Sequence, residues 1–125
     1  MASTYSNRLK IERIGDGEQA GSWGDTTNDN FGAATAGGAS AIEHAIAGVL
    51  TIAVSGDITL TTGVGPTTQA LNQARQACLI FTGSTTATVT VPNTEKIYHI
   101  YNNSSAVITL RITGMSTDFV MAAET

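Results

Sequence analysis

The chain has 125 residues, of which 10 are acidic and 6 basic, so its formal net charge is −4 and only 13% of its residues are charged. That fraction is about half of the roughly 25% found in ordinary soluble domains, and six scattered basic residues provide no electrostatic footprint for a nucleic-acid backbone. The apolar runs are far shorter than the roughly 20 residues of a membrane-spanning helix. We therefore expect neither nucleic acid nor a membrane as a partner.

The first predicted elements are a short strand and a shaped loop. Leu9 and Ile11 form a narrow apolar stripe within residues 6–14, which favours a strand. Residues 15–24 contain four glycines around Trp23, a composition typical of a loop that bends sharply. The large indole ring could then be an anchor in the core or an anchor in an interface with a partner.

A helical pattern follows over residues 25–48, because apolar and small side chains recur there at spacings of three or four. We expect a cap at one of residues 25–27 and an end at Gly48. Two adjacent glycines, 37 and 38, interrupt the pattern, and residues 40–43 have the spacing of a capping box. One interrupted helix is favoured, since small residues permit close packing, and two helices that meet at the glycines are the alternative.

The rest of the chain is strand-like. Short segments rich in apolar, Thr and aromatic residues are separated by Gly, Pro, Asn and Ser at roughly 10-residue spacing, which favours an antiparallel meander or small sandwich. The predicted strands are 49–54, 57–62, 77–82, 86–91, 97–102 and 106–113. Residues 67–76 indicate a short helix or an ordered polar loop, residues 102–105 a hairpin connection, and a further element begins at Asp118.

We therefore expect one α+β domain over residues 1–125. Its N-terminal part, residues 1–48, holds the strand, the Gly-Trp loop and a Gly/Ala-rich helix, and residues 49–125 form the small antiparallel β-meander or sandwich. Because the last element stops without a recognisable ending, the chain is expected to be a fragment of a longer one. The low charge further suggests an obligate oligomer, in which sister chains cover uncharged surface.

Few residues could carry catalysis. His44 and His99 are the only histidines, and we expect the first to be a surface or interface residue and the second a half-buried strand residue. The lone Cys78 is expected to be a small buried hydrophobe. Two groups of acidic and amide residues, at 12–18 and 25–30, lack the spacing of a calcium loop and are better explained as turn and cap residues. The chain has no nucleophile elbow, zinc pair or phosphate loop, so we expect no enzymatic activity, no metal and no cofactor.

Residues 17–32, with the sequence GEQAGSWGDTTNDNFG, resemble the N-terminal module of tail-fibre and other virion structural proteins of tailed bacteriophages, especially marine ones. Weaker likenesses cover residues 8–14, 43–48, 72–83 and 91–102. Two departures stand out: residues 34–41 are an insertion of about two helical turns relative to the family pattern, and the closing strand with its Asp-Gly turn is missing.

The resemblance implies a non-enzymatic virion protein made in the host cytoplasm, a homotrimer in contact with other tail or capsid proteins. It also implies that distal regions could bind a host-surface glycan. The residues expected in an attachment interface are Gly21, Trp23, Gly24, Asp25, Thr26, Asn28 and Asn30. A tail-fibre or tail-spike attachment module is the leading hypothesis. A head fibre or capsid decoration protein and a glycan-binding module are the alternatives.

Overall fold

The computed structural model describes residues 2–35 and 37–124 and shows a small mixed α/β chain with few helices and several sheets. At this coarse level it is compatible with the expected α+β class. Its N-terminal part contains β1 (Thr4–Tyr5), β2 (Glu12–Arg13), α1 (Trp23–Phe31) and α2 (Ile42–Ala47). The two short strands pair antiparallel, with Tyr5 opposite Glu12.

The larger part of the described chain consists of two sheets that face a common core. Its strands are β3 (Val49–Ala53), β4 (Ile58–Thr59), β5 (Cys78–Thr82), β6 (Ala87–Val91), β7 (His99–Asn102), β8 (Ile108–Ile112) and β9 (Asp118–Met121). The first sheet has the order β3-β5-β7, and the second has the order β4-β6-β8-β9. Six of these seven strands lie within the segments expected to be strands, although β4 is shorter than its segment. The seventh, β9, begins at Asp118, where a further element was expected.

The chain winds as a short solenoid. It passes from one sheet to the other at each step, so β3 leads to β4, β5 to β6 and β7 to β8, and each new coil adds its strands in parallel to both sheets. The corners also stack, since Val54 N donates to Thr82 O at 2.8 Å and Asn103 N to Phe81 O at 2.8 Å. One coil cannot bury its apolar side chains alone, and stacking encloses them. The enclosed core comprises Ile52, Val54, Leu60, Ala74, Leu79, Phe81, Ala87, Val89, Val91 and Ile108.

The expected antiparallel meander is therefore wrong. Consecutive strands lie in different sheets and every pairing from β3 to β8 is parallel, whereas β8 and β9 pair antiparallel. Residues 102–105, expected as a hairpin, form instead the corner between β7 and β8. Side chains alternate with a period of two in both arrangements. That pattern located the strands but could not identify their partners.

The expected strand over residues 6–14 is reduced to β2, because the backbone turns at Lys10 (φ 55). A left-handed conformation is uncommon for a residue with a side chain and needs support from its surroundings. Here the carbonyl of Lys10 accepts a hydrogen bond from Gly65 N at 2.7 Å. The turn directs this carbonyl and that of Leu9 toward the side chain of Arg75.

The favoured single helix over residues 25–48 is also wrong, and the alternative of two helices describes the chain. α1 begins at Trp23 and ends at Phe31, and α2 begins only at Ile42. Between them Gly37 has φ 75, and Ser40 forms an isolated antiparallel bridge with Thr67. These features exclude a continuous helix from residue 25 to residue 48. Ala36, which belongs to the predicted helix, lies outside the described residues.

The predicted caps differ as well. The N-cap residues are Ser22 for α1 and Ala41 for α2, and neither side chain makes a capping hydrogen bond. Instead of completing a capping box, the carboxylate of Glu43 accepts a hydrogen bond from Ala33 N at 2.9 Å. The end at Gly48 is confirmed. A Cβ at that position would clash with the backbone carbonyl of His44 as well as with the side chain of Gln76, so the close approach requires glycine.

The guanidinium group of Arg75 ties the N-terminal part to the solenoid. Arg75 is buried, with only 2% of its surface exposed. Nε donates to Leu9 O at 3.0 Å, Nη1 to Ser40 O and Gly65 O at 2.8 Å each, and Nη2 to Lys10 O at 3.5 Å. Buried charges need such hydrogen bonds to offset the loss of water. One side chain therefore joins three segments that are distant in sequence.

Asn102 plays a similar role at the other end of the solenoid. It points into the core in register with Phe81 and is 7% exposed. Its Nδ2 atom donates to the carbonyls of Ala106 at 3.1 Å and Ala122 at 2.8 Å, and its Oδ1 atom accepts from Ser104 Oγ at 2.6 Å. The amide thus fastens the last corner and the segment after β9 to the core.

We predict that Asn102→Ala lowers the free energy of unfolding by about 3 kcal/mol, because it leaves several buried polar groups without partners. Urea denaturation of the two variants Asn102→Ala and Asn103→Ala measures the effect, since the neighbouring Asn103 is exposed. The control is expected to lie within about 0.5 kcal/mol of the unmodified chain. Equal losses in the two variants would contradict the role assigned to Asn102.

Candidate functional site

An uncovered apolar stripe runs along α1. Trp23, Thr27 and Phe31 are spaced four residues apart and therefore lie on one side of the helix. Trp23 is 60% exposed and Phe31 is 62% exposed. Large aromatic side chains of this kind supply most of the binding energy in protein interfaces. The stripe is the most prominent exposed apolar feature of the N-terminal part.

The stripe borders an open groove with a volume of about 710 Å³. Apolar side chains from three segments and three carboxylate residues line it together. The lining residues are Ile11, Glu12, Ile14, Gly15, Asp16, Gly17, Glu18, Ala20, Trp23, Thr27, Asn30, Phe31 and Ile42. A lining that is both apolar and acidic suits a partner that presents an apolar side chain flanked by basic ones. We call this groove with its stripe the α1 surface.

The loop before α1 holds Trp23 in place. Gln19 has φ 53, its Nε2 atom donates to Glu12 Oε1 at 2.6 Å, and its Oε1 atom accepts a hydrogen bond from the hydroxyl of Thr26. Its carbonyl accepts from Trp23 N at 2.8 Å. Gly21, with φ 87, provides the sharp bend that a residue with a side chain would resist. The exposed indole is therefore carried by an ordered loop and helix start.

Asn30 and Glu12 connect α1 to β2. The Oδ1 atom of Asn30 accepts from Glu12 N at 3.2 Å, and its Nδ2 atom donates to Glu12 O at 3.0 Å. This pair of bonds imitates the pairing between strands, and it buries Asn30 to 7% exposure. The helix consequently cannot swing away from the wall of the groove without breaking both bonds.

The structure separates the residues predicted for attachment into two groups. Trp23 and Asn30 line the groove, the first as an exposed aromatic side chain and the second as a structural one. The remaining five lie outside the groove lining, and Thr26 has a structural role in the loop. These five are Gly21, Gly24, Asp25, Thr26 and Asn28. The core alternative for Trp23 is excluded by its exposure, and the interface alternative stays a prediction.

Sequence reasoning missed Phe31, Thr27 and Ile42 as members of the surface. The signal was present for α1, because positions 23, 27 and 31 share one helix face. It was obscured because the helix was expected to begin at Asp25, which left Trp23 in the loop. No sequence pattern placed Ile42 beside them, since its position depends on the tertiary turn between the two helices.

A second uncovered surface is the outer face of β3, β5 and β7. Its residues are Val49, Thr51, Ala53, Cys78, Ile80, Thr82, His99 and Tyr101, none of which is acidic or basic apart from the histidine. Val49 is 55% exposed and Tyr101 47% exposed. The outer face of the second sheet differs, because it presents mainly threonine together with the ion pair Arg111–Asp118 at 2.6 Å. Parallel sheets are normally covered on both faces.

The two histidines occupy opposite environments, and neither has the predicted one. His99 is exposed on the outer face of β7 rather than half-buried, and His44 is buried in α2 with 4% exposure rather than at the surface. Within the described residues, neither ring nitrogen of His44 has a hydrogen-bond partner. Burial, together with the positive charge of Arg75, lowers the pKa of His44, and Glu43 opposes this shift. Cys78, expected to be buried, is half-buried.

The described residues contain no group of three or more His, Cys, Asp or Glu side chains that could hold a metal ion. No helix in the described part of the chain is both long and apolar enough to cross a membrane. The chain matches no protein-family model, no curated protein and no solved structure.

We predict that the free energy of unfolding decreases as the pH falls from about 7 through 6.5, the usual pKa of histidine. The unfolded chain then binds a proton at His44 that the folded chain excludes, so acid favours the unfolded state. Urea denaturation at a series of pH values is expected to show that His44→Gln removes this part of the pH dependence. His99→Gln, which changes an exposed histidine, should retain this pH dependence. The prediction is disproved if the free energy of unfolding varies with pH in the same way in the unmodified chain and in His44→Gln.

Proposed function

We propose that the chain is a non-enzymatic structural component of a phage virion, namely a tail-fibre or tail-spike attachment module that docks through the α1 surface. The observation that carries the proposal is the exposure of Trp23 and Phe31 beside a large groove. The loop and helix that form this feature are encoded by residues 17–32, the block that resembles virion proteins.

The charges at the groove indicate the chemistry of the docking partner. Glu12, Asp16 and Glu18 line it together with apolar side chains. A partner that inserts an apolar side chain between Trp23 and Phe31 and places Lys or Arg near the carboxylates would complement both features. We assign this role to another structural protein of the tail.

A different surface suits contact with sister copies. The strands of this face contribute no acidic side chain and no basic one apart from His99, although Glu124 hydrogen-bonds to the exposed hydroxyl of Tyr101, and an extended, largely apolar face is uncommon on a monomer. We propose that this face packs against copies of the same chain in a homotrimer. Sedimentation of the purified chain as a stable monomer at all concentrations would overturn this part of the proposal.

Two alternatives use the same surfaces differently. A head fibre or capsid decoration protein would also present an apolar docking groove, and the copy number per particle distinguishes the two, with tens of copies for fibres and hundreds for decorations. A glycan-binding module would need several exposed aromatic rings on one face of a sheet. Tyr98 instead packs against the core and donates its hydroxyl to Ala74 O at 2.6 Å, which leaves Tyr101 alone on the outer face.

We predict that Trp23→Ser and Phe31→Ser reduce incorporation of the chain into phage particles. Removal of one aromatic anchor from the centre of an interface costs roughly 2 kcal/mol or more, which corresponds to an affinity loss of about 30-fold. Quantitative mass spectrometry of particles assembled from each variant measures the effect. The melting temperature should change little, because both side chains are mostly exposed in the isolated chain.

Leu71→Ser is the matched control, since Leu71 is 61% exposed and does not line the groove. It is expected to incorporate normally. The proposal fails if the two aromatic variants enter particles as efficiently as Leu71→Ser while all three remain folded. If incorporation is lost but the copy number of the unmodified chain is in the hundreds, the decoration alternative replaces the tail assignment.

A further inference from the structure

Four of the six basic residues line one small cavity, although the chain as a whole is acidic. Arg8 and Lys10 come from the turn before β2, Arg75 from the 3₁₀ turn at Gln73–Arg75, and Lys96 from the segment before β7. The cavity has a volume of about 170 Å³. It shares no lining residue with the α1 surface.

The positive charges in this cavity are only partly compensated. Arg8 forms an ion pair with Glu95. The hydrogen bonds of Arg75 within the described residues all end on backbone carbonyls, and Lys96 Nζ likewise donates to Gln76 O at 2.8 Å and Ile97 O at 3.1 Å. The lining residues include no aspartate or glutamate. Carbonyl oxygens solvate a cation but do not neutralise it.

Burial makes this excess of charge costly. It lowers the pKa of Lys96 to about 8 and that of Arg75 to about 10. Desolvation of an ionised group disfavours its charged form, and a counter-charge in contact with it reverses that effect. An anion inside the cavity would therefore offset an existing electrostatic cost.

Hydrogen-bond donors remain for such an anion. An ammonium group has three N–H bonds, and Lys96 uses two of them, while its Nζ atom sits 4.0 Å from the centre of the Tyr98 ring. The Lys10 ammonium has no hydrogen-bond or ion-pair partner among the described residues, and its backbone holds the strained φ of 55°. Strained residues at a cavity edge are characteristic of binding sites. Thr94 also lines the cavity.

We propose that this cavity binds a small oxyanion, with Lys96 and Lys10 as direct ligands and Arg75 as a fixed positive charge behind them. The volume of about 170 Å³ is below the range of about 300–1,000 Å³ usual for larger organic ligands. It suits a single phosphate, sulfate or carboxylate group. Such a group could be a free ion or part of an acidic sugar, and the chemistry of recognition is the same.

The test is a titration of the folded chain with inorganic phosphate at constant ionic strength, followed by amide chemical shifts in NMR spectra. Saturable shifts should concentrate at residues 8–10 and 94–98. Lys10→Gln and Lys96→Gln should each weaken binding by about tenfold, because each removes a charge-assisted hydrogen bond. Arg13→Gln is the control, since it removes the same charge from an exposed residue that does not line the cavity.

The source of the oxyanion is distinguished by a parallel titration with glucuronate. Tighter binding of glucuronate than of phosphate identifies the carboxylate of an acidic sugar, and the reverse identifies free phosphate. With sulfate, whose charge is constant over this range, affinity should decrease as the pH rises through about 8, where Lys96 loses its proton.

Two results would overturn the proposal. One is the absence of saturable shifts with both ligands. The other is equal weakening by Arg13→Gln and the two lysine variants, which would indicate a general charge effect. If Lys96→Gln fails to fold, Lys10→Gln still decides the question, because the Lys10 ammonium contributes no contact to the fold. Neither result bears on docking at the α1 surface, which can fail or succeed separately.

Discussion

The buried guanidinium of Arg75 provides the physical link between the two parts of the chain. It donates to carbonyl oxygens of Leu9, Lys10, Ser40 and Gly65, which come from the N-terminal turn, the segment before α2 and the long connection after β4. Arginine suits this position better than lysine because its planar group presents donors in several fixed directions. Its burial is tolerated because each carbonyl gains a hydrogen bond while the cation is solvated by the backbone.

Both candidate sites follow from this arrangement. By fixing the turn at Lys10, Arg75 positions β2, which in turn carries Asn30 and α1 through paired hydrogen bonds to Glu12. The helix then presents its aromatic stripe to solvent rather than to the solenoid. The same guanidinium contributes a positive charge to the small basic cavity. The few charged residues are thus distributed unevenly, with carboxylates at the groove, basic residues at the small cavity and hardly any charge on the outer face of the first sheet.

The sequence indicated the strands well and their arrangement poorly. Alternation in residues 77–82 and 86–91 depends only on which side chains face the core, and it is identical in meanders and solenoids. Parallel stacking is determined by long-range contacts, such as the register of Phe81 with Asn102. The glycine-rich surroundings of Trp23 predicted that its ring is an anchor either in the core or in an interface. They could not decide between these two alternatives. Phe31 was missed because the helix was expected to begin after Trp23, and the basic cavity could not be predicted because it depends on where separate segments meet.

The central claim is that the chain is a virion component that docks through the α1 surface. An electron-microscopy density map of the intact phage particle tests it most directly. The account predicts density for the chain at the tail, with the groove around Trp23 and Phe31 filled by a side chain of a neighbouring virion protein, and with the outer faces of β3, β5 and β7 from three copies in contact. A map in which the chain occupies the tail but its α1 surface faces solvent, or in which the particle contains no such chain, would contradict it.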